Sequence, residues 1–198
     1  MSRYLIVNAD DLGLSPGVNR GILEAHQRGI LTSTTAMVNM PAVEAGICLL
    51  QQDAPQVGIG LHFNLTTGQP VLPPEQVASL VGADGDFPYY EPDPLRHFDH
   101  LNPEEITAEI HAQFERFVQL AGRKPDHLDS HHHAVYHHPV AFQTVLDLAE
   151  AHHLPIRNGC DWLTDSHYQG PRYDALRQML NDRCRTAGSP PSARCQKP

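Results

Sequence analysis

The chain has 198 residues, 40% of them hydrophobic and 19% charged, with a formal net charge of -9 when histidine is neutral. That length suits one domain with a real core, and the acidic balance gives a nucleic-acid partner no electrostatic support. The four cysteines (Cys48, Cys160, Cys184 and Cys195) are scattered, which argues against a zinc ribbon, a dithiol redox motif or a disulfide framework. No apolar run approaches a membrane span or a signal peptide's core, so a reduced, cytoplasmic, non-membrane protein is expected.

Tyr4, Leu5, Ile6 and Val7 form an apolar run that stops at Asn8-Ala9-Asp10-Asp11-Leu12-Gly13. A buried strand ending in acids and a glycine is the pattern of an α/β protein, in which functional residues gather at the carboxyl ends of strands. Ser15 followed by Pro16 reads as the cap and first residue of a helix, which carries Val18, Ile22, Leu23 and Ala25 up to Gly29. A second strand is expected over residues 34–38, a second helix over 41–52, and a third strand over 57–66 with His62 near its end. Residues 68–102 are rich in Pro, Gly and Asp. A stretch of that length is often a lid or binding loop, and its aromatics Phe87, Tyr89, Tyr90 and Phe98 are of the kind that stacks on sugar rings. A floppy insertion is the alternative.

Asn102-Pro103-Glu104-Glu105 opens another helix, with Asn as cap and acids in the first turn, and Gly122 ends it. Next comes His127-Leu128-Asp129-Ser130-His131-His132-His133, read as a short strand running into a loop. Strand alternation places His127, Asp129, His131 and His133 on one face and His132 on the other. Imidazoles and a carboxylate converging in one small volume make a metal site, with Asp129 either a ligand or the group that fixes an imidazole tautomer. A further helix over 139–153 and a short strand over 155–157 follow. A last helix is expected over 173–181, and residues 188–198, without apolar periodicity, read as disordered.

The polar residues at these strand ends are Asp10, Asp11, His62, His127, Asp129 and His131. Together they can hold a divalent ion with open positions, and a carboxylate left over can act as general base. There is no Gly-x-Gly-x-x-Gly, no phosphate loop and no Gly-x-Ser-x-Gly elbow. Hydrolysis of a phosphoester is disfavoured, because no Arg or Lys accompanies the motifs except Arg123 and Lys124.

Four segments agree in order and spacing with one family: Asn8 to Gly13, Thr32-Ser33-Thr34-Thr35, Gly60-Leu61-His62-Phe63-Asn64-Leu65-Thr66, and His127 to His133. They resemble the YdjC-like carbohydrate deacetylases, which include the chitooligosaccharide deacetylases, from about residue 3 to about residue 157. The resemblance implies a single-domain (β/α)-barrel-like fold and a metal-dependent hydrolase removing acetyl from N-acetylated amino sugars. It also implies magnesium at the strand ends, although imidazole ligands suit zinc better. By position, His62, His131 and Asp11 match the family's metal ligands and Asp10 its proposed base. Asp129, with His127 and His133, is assigned to supporting the ligands or meeting substrate. The implied partner is a small acetylated sugar, with a homodimer left open.

One departure is expected. The family's later Glu-x-Met-x-His-Pro motif, whose His is a candidate general acid, has no match after Arg157, and His167 lacks its strand context. The chain is therefore read as a deacetylase domain over 1–183, C-terminally incomplete, with a disordered tail over 184–198. A non-catalytic sugar- or metal-binding remnant is the competing reading.

Overall fold

The computed structural model describes residues 5–88 and 100–157, with Asp174 and Gln178 beyond them. The expectations for Tyr4, Tyr89, Tyr90, Phe98, His167, the tail and, apart from helical Asp174 and Gln178, the helix over 173–181 lie outside the described residues. Met1–Arg157 form one compact unit.

Four parallel strands lie side by side in chain order: β1 (Asn8–Leu12), β2 (Ser33–Ala36), β3 (Gly58–Phe63) and β4 (Leu128–Ser130). Ile156 bridges to Leu128 in the same parallel sense, continuing the sheet past β4. Helices α1 (Pro16–Arg28) and α2 (Val43–Asp53) make the first two crossovers. The third runs through the loop after β3 and helix α3 (Pro103–Ala121). After β4, a single 3-10 turn (His131–His133) leads into α4 (Ala134–His137) and α5 (Pro139–His152). This is the expected α/β class, and a sequential, all-parallel strand order is how the arc of a (β/α) barrel is built. Because every strand runs the same way, the carboxyl ends of β1, β3 and β4 open on one side of the sheet.

Local chemistry explains the helix limits. Ser15 accepts from Val18 N at the start of α1, and Asn102 accepts from Glu104 N at the start of α3, each with a proline just inside. Gly122 ends α3 in the left-handed region, with φ 68°. The core is apolar and continuous across sheet and helices: Leu12, Met37, Val38, Leu61, Phe63, Ile106, Ile110 and Phe117 are fully buried.

The first strand departs from expectation. The apolar run before it is not the strand: Leu5 and Ile6 are 77% and 76% exposed, and pairing is established only from Val7, whose carbonyl accepts from Thr32 N and Ser33 N. The polar segment Asn8–Leu12 is what lies in the sheet.

Candidate metal centre

β1 pairs with β2 through Ala9 and Thr34, then Leu12 and Ala36, so an extra residue is accommodated between them. Asp11 absorbs it with φ 68°, a left-handed conformation that few residues other than Gly, Asn and Asp tolerate. The bulge has a chemical consequence. On a regular strand Asp10 and Asp11 would face opposite sides of the sheet; here both carboxylates reach the same strand-end site.

Asp11 turns toward two imidazoles. Its Oδ1 lies 3.0 Å from His131 Nδ1 and 3.3 Å from His62 Nε2. One donor atom from each of the three residues lies within 4.8 Å of the others. The three come from the ends of β1 and β3 and the residue directly after β4. His62 and His131 are buried and meet edge to face, with ring centroids 5.4 Å apart.

These contacts are close but misaligned as hydrogen bonds, and buried Asp11 Oδ1 is left without a hydrogen-bond partner. An orphaned, buried carboxylate oxygen facing two ring nitrogens is what a shared cation would satisfy, so the donor set fits a divalent metal. His131, then His62, hold Asp11 well below the usual carboxylate range, against a smaller opposing effect of burial.

Asp129 is paired across the sheet with His62 and is buried, like the rest of β4. Its Oδ2 stands 3.7 Å from His62 Nδ1, too long for a hydrogen bond but on the side away from Asp11. That places it behind an imidazole of the candidate metal cluster. His127 shares its face one step down the strand, and a Cβ on Gly60 would fall 2.5 Å from the His127 ring. The ring therefore fills the space over Gly60, beneath the cluster and outside it. Burial lowers the His127 pKa.

Alternation fails after Ser130. His132 and His133 adopt φ 51° and φ 56°, so the chain coils rather than extends. His132, expected on the opposite face, stacks instead on His131 with centroids 3.9 Å apart. Burial and then the neighbouring charge of His131 push its pKa down to about 4. Burial, the largest cause, lowers the His133 pKa, and the charges acting on it include Asp129, Arg157 and Asp10. It therefore stays in the neighbourhood of the site by way of the turn.

Residues given no role from the sequence also take part. Arg157 Nη1 donates to Asp10 Oδ1 (2.9 Å), Asp10 Oδ2 (3.1 Å) and Asp129 Oδ2 (2.8 Å), tying the two carboxylates that flank the cluster. Asn8 Nδ2 donates to Asp10 Oδ1 at 2.7 Å. Thr66 and Thr67, after β3, place their hydroxyls 3.0 Å from His132 Nδ1 and 3.3 Å from His131 Nε2. The short strand over 155–157 was the available signal for Arg157, since its side chain leaves a strand neighbouring β4.

Sheet and site together define a parallel α/β protein with an Asp-His-His candidate metal centre at its strand ends. The chain belongs to the YdjC-like family, whose model matches residues 4–193 and so reaches past Arg157. It is 48% identical over 160 residues to a carbohydrate deacetylase of Geobacillus stearothermophilus, covering 79% of this chain and 60% of that protein. It is 45% identical over 161 residues to a chitooligosaccharide deacetylase of Proteus mirabilis (strain HI4320), covering 79% and 59%. A solved structure from Enterococcus faecalis V583, described as a candidate for cellobiose-phosphate cleavage, superposes with a TM-score of 0.73 at 35% identity. That superposition covers 89% of this chain and 64% of that one. The chain thus spans about six-tenths of the length of these relatives.

Proposed function

We propose that this chain carries the metal-binding face of a carbohydrate deacetylase that hydrolyses the N-acetyl group of amino sugars such as chitooligosaccharides. The observation that carries the reading is the Asp11–His62–His131 cluster with Asp10 set beside it on the same bulge. The relatives named as deacetylases support the substrate class.

Asp11, His62 and His131 would hold the ion, magnesium as the family likeness implies, with zinc the alternative that two imidazoles favour. When bound, such an ion supplies positive charge that polarises the amide carbonyl. Asp10 acts as general base, taking a proton from the water that attacks the carbonyl carbon; the C–N bond then breaks as that proton is passed on to the departing nitrogen, giving acetate and the free amine. Arg157 and Asn8 fix the Asp10 carboxylate, and its Oδ2, which accepts only from Arg157 among the described residues, keeps capacity for that proton.

The name of the Enterococcus structure puts a phosphorylated sugar among the candidate substrates, and phosphoester cleavage is the second reading. Arg157 is the cation that reading requires, but Asp10 and Asp129 already engage it, which leaves little charge for a phosphate. Incubation of the purified chain with diacetylchitobiose and a series of divalent metals decides between them. Metal-dependent acetate release, abolished in Asp10→Asn, is the expected result. Absence of acetate with every metal overturns the deacetylase reading, and phosphate released from cellobiose phosphate establishes the other.

A further inference from the structure

Behind the site lies a buried polar chain that no step of the reaction uses. Glu109 and Gln113 on α3, and Asn64 and Thr66 after β3, are all 0% exposed. Gln113 closes on the backbone of Asn64 from both sides, accepting from Asn64 N at 3.0 Å and donating to Asn64 O at 2.7 Å. It also donates to Glu109 Oε1 at 2.8 Å. Glu109 in turn accepts from Val71 N through Oε1 (2.9 Å) and from Leu72 N through Oε2 (3.0 Å).

The Asn64 side chain ties the intervening loop to itself. Its Oδ1 accepts from Thr66 N at 3.0 Å, and its Nδ2 donates to Thr67 O at 2.7 Å and to Asn39 Oδ1 at 3.0 Å. Asn39 donates to Thr67 O and to Gln69 O, both at 2.9 Å. The segment from Asn64 to Leu72 is thus pinned at both ends and in the middle, and Thr67 is the residue it delivers to the metal centre.

We propose that Glu109, Gln113 and Asn64 act as positioning residues for the metal centre, through the Thr67 hydroxyl. His131 offers Nδ1 to the site shared with Asp11, which leaves Nε2 to take a partner on the far side of the ring. Thr67 Oγ1, 3.3 Å from that nitrogen, is the partner. A contact of this kind fixes which ring nitrogen carries the proton and how the ring is turned. A buried carboxylate is costly unless fully hydrogen-bonded. Glu109 commits its oxygens to the two ends of a relay rather than to an ion pair, which is the arrangement a rigid support for the loop requires.

The inference rests on the metal-site part of the proposed function, and its test reads metal affinity rather than turnover. Divalent-metal dissociation constants are measured by calorimetry on the full chain for Thr67→Val, Thr67→Ser, Glu109→Gln and the Thr67→Val/Glu109→Gln double variant. Loss of a group supporting a ligand weakens metal binding by roughly 10- to 100-fold. Thr67→Val is expected to do so, while Thr67→Ser, which keeps the hydroxyl, stays close to wild type. Glu109→Gln removes one acceptor and turns an amide N–H toward a backbone N–H, so affinity falls, and it falls no further in the Thr67→Val background.

A role confined to packing would lower the thermal midpoint and leave metal affinity unchanged in all four proteins, which overturns the proposal. Additive losses in the double variant also overturn it, because Glu109 would then act by another route. If Glu109→Gln does not fold, the Thr67 pair decides alone: equal affinity in Thr67→Val and wild type sinks the idea. Loss of metal binding by the wild type itself would instead remove the metal centre, and so the proposed function, and is distinguishable from every outcome above.

Discussion

Asp11 has two separable jobs, one of backbone and one of chemistry. Its φ of 68° makes the bulge that turns both acids toward the site, and its carboxylate faces His62 and His131. Asparagine tolerates the left-handed region and keeps the side chain's size, but is a poorer ligand than a carboxylate. Asp11→Asn is therefore expected to keep the thermal midpoint of the metal-free protein while metal affinity falls at least tenfold. Asp11→Ala loses the ligand and also carries about 1–2 kcal/mol of left-handed strain, so its midpoint drops as well. Equal midpoints for the Asn and Ala variants would show that the bulge carries no strain. Asp10 sits next to it with a different role, in proton transfer. Asp10→Asn is expected to hold metal at wild-type affinity and to lose at least a hundredfold in acetate release. Near-wild-type turnover would remove Asp10 as base and make Asp129 the candidate.

At the scale of elements, β3 and β4 are fitted together by a void and a ring. Gly60 has no Cβ, and the His127 ring occupies the position one would take, at 2.5 Å. Gly60→Ala forces the ring aside and is expected to destabilise the fold by about 1–3 kcal/mol, the usual cost of overpacking. In a His127→Ala background, where the space is free, the same substitution should cost little, and equal costs in both backgrounds in chemical denaturation would refute the fit. Elements with local signals were legible in the sequence: the Ser15-Pro16 and Asn102-Pro103 starts and the Gly122 stop are set by capping chemistry within a few residues. The Asp11–His62–His131 cluster was legible because strand ends and family motifs mark its members. What escaped was set by the backbone or by distant pairing. Leu5 and Ile6 look like a buried strand, yet pairing belongs to the polar Asn8–Leu12, because strand ends that line a site must be polar. The coil at His132 and His133 breaks alternation with no glycine to announce it, and Arg157 reaches Asp10 across 147 positions of sequence.

For the whole molecule, the 14 histidines make acid the stress most worth applying. With a sequence pI near 5.8, acidification also carries the chain through zero net charge, where repulsion between copies is weakest. Among the described residues, no helix is long and apolar enough to cross a membrane. Two buried groups respond to pH in opposite senses. Burial raises the Glu109 pKa above its ordinary 4.5, so the stability tied to its protonated form is complete below 4.5 and is lost as pH rises through the folded value. His137 is the reverse. Burial, then the nearby charge of His133, pushes its pKa from 6.5 down to about 3, so the unfolded chain takes up a proton that the folded chain refuses. Stability is therefore complete above pH 6.5 and falls as pH drops from there toward about 3. One proton of difference is worth about 1.4 kcal/mol per pH unit. His137→Gln, polar but without a titrating ring, is expected to flatten the stability–pH curve by about that slope in that interval, while the Glu109 contribution stays common to both proteins. Urea denaturation of wild type and variant at intervals from pH 7.5 to pH 4 measures it. Parallel curves across that range would mean that His137 is charged in the folded state, and that its burial is compensated by a partner strong enough to hold the proton.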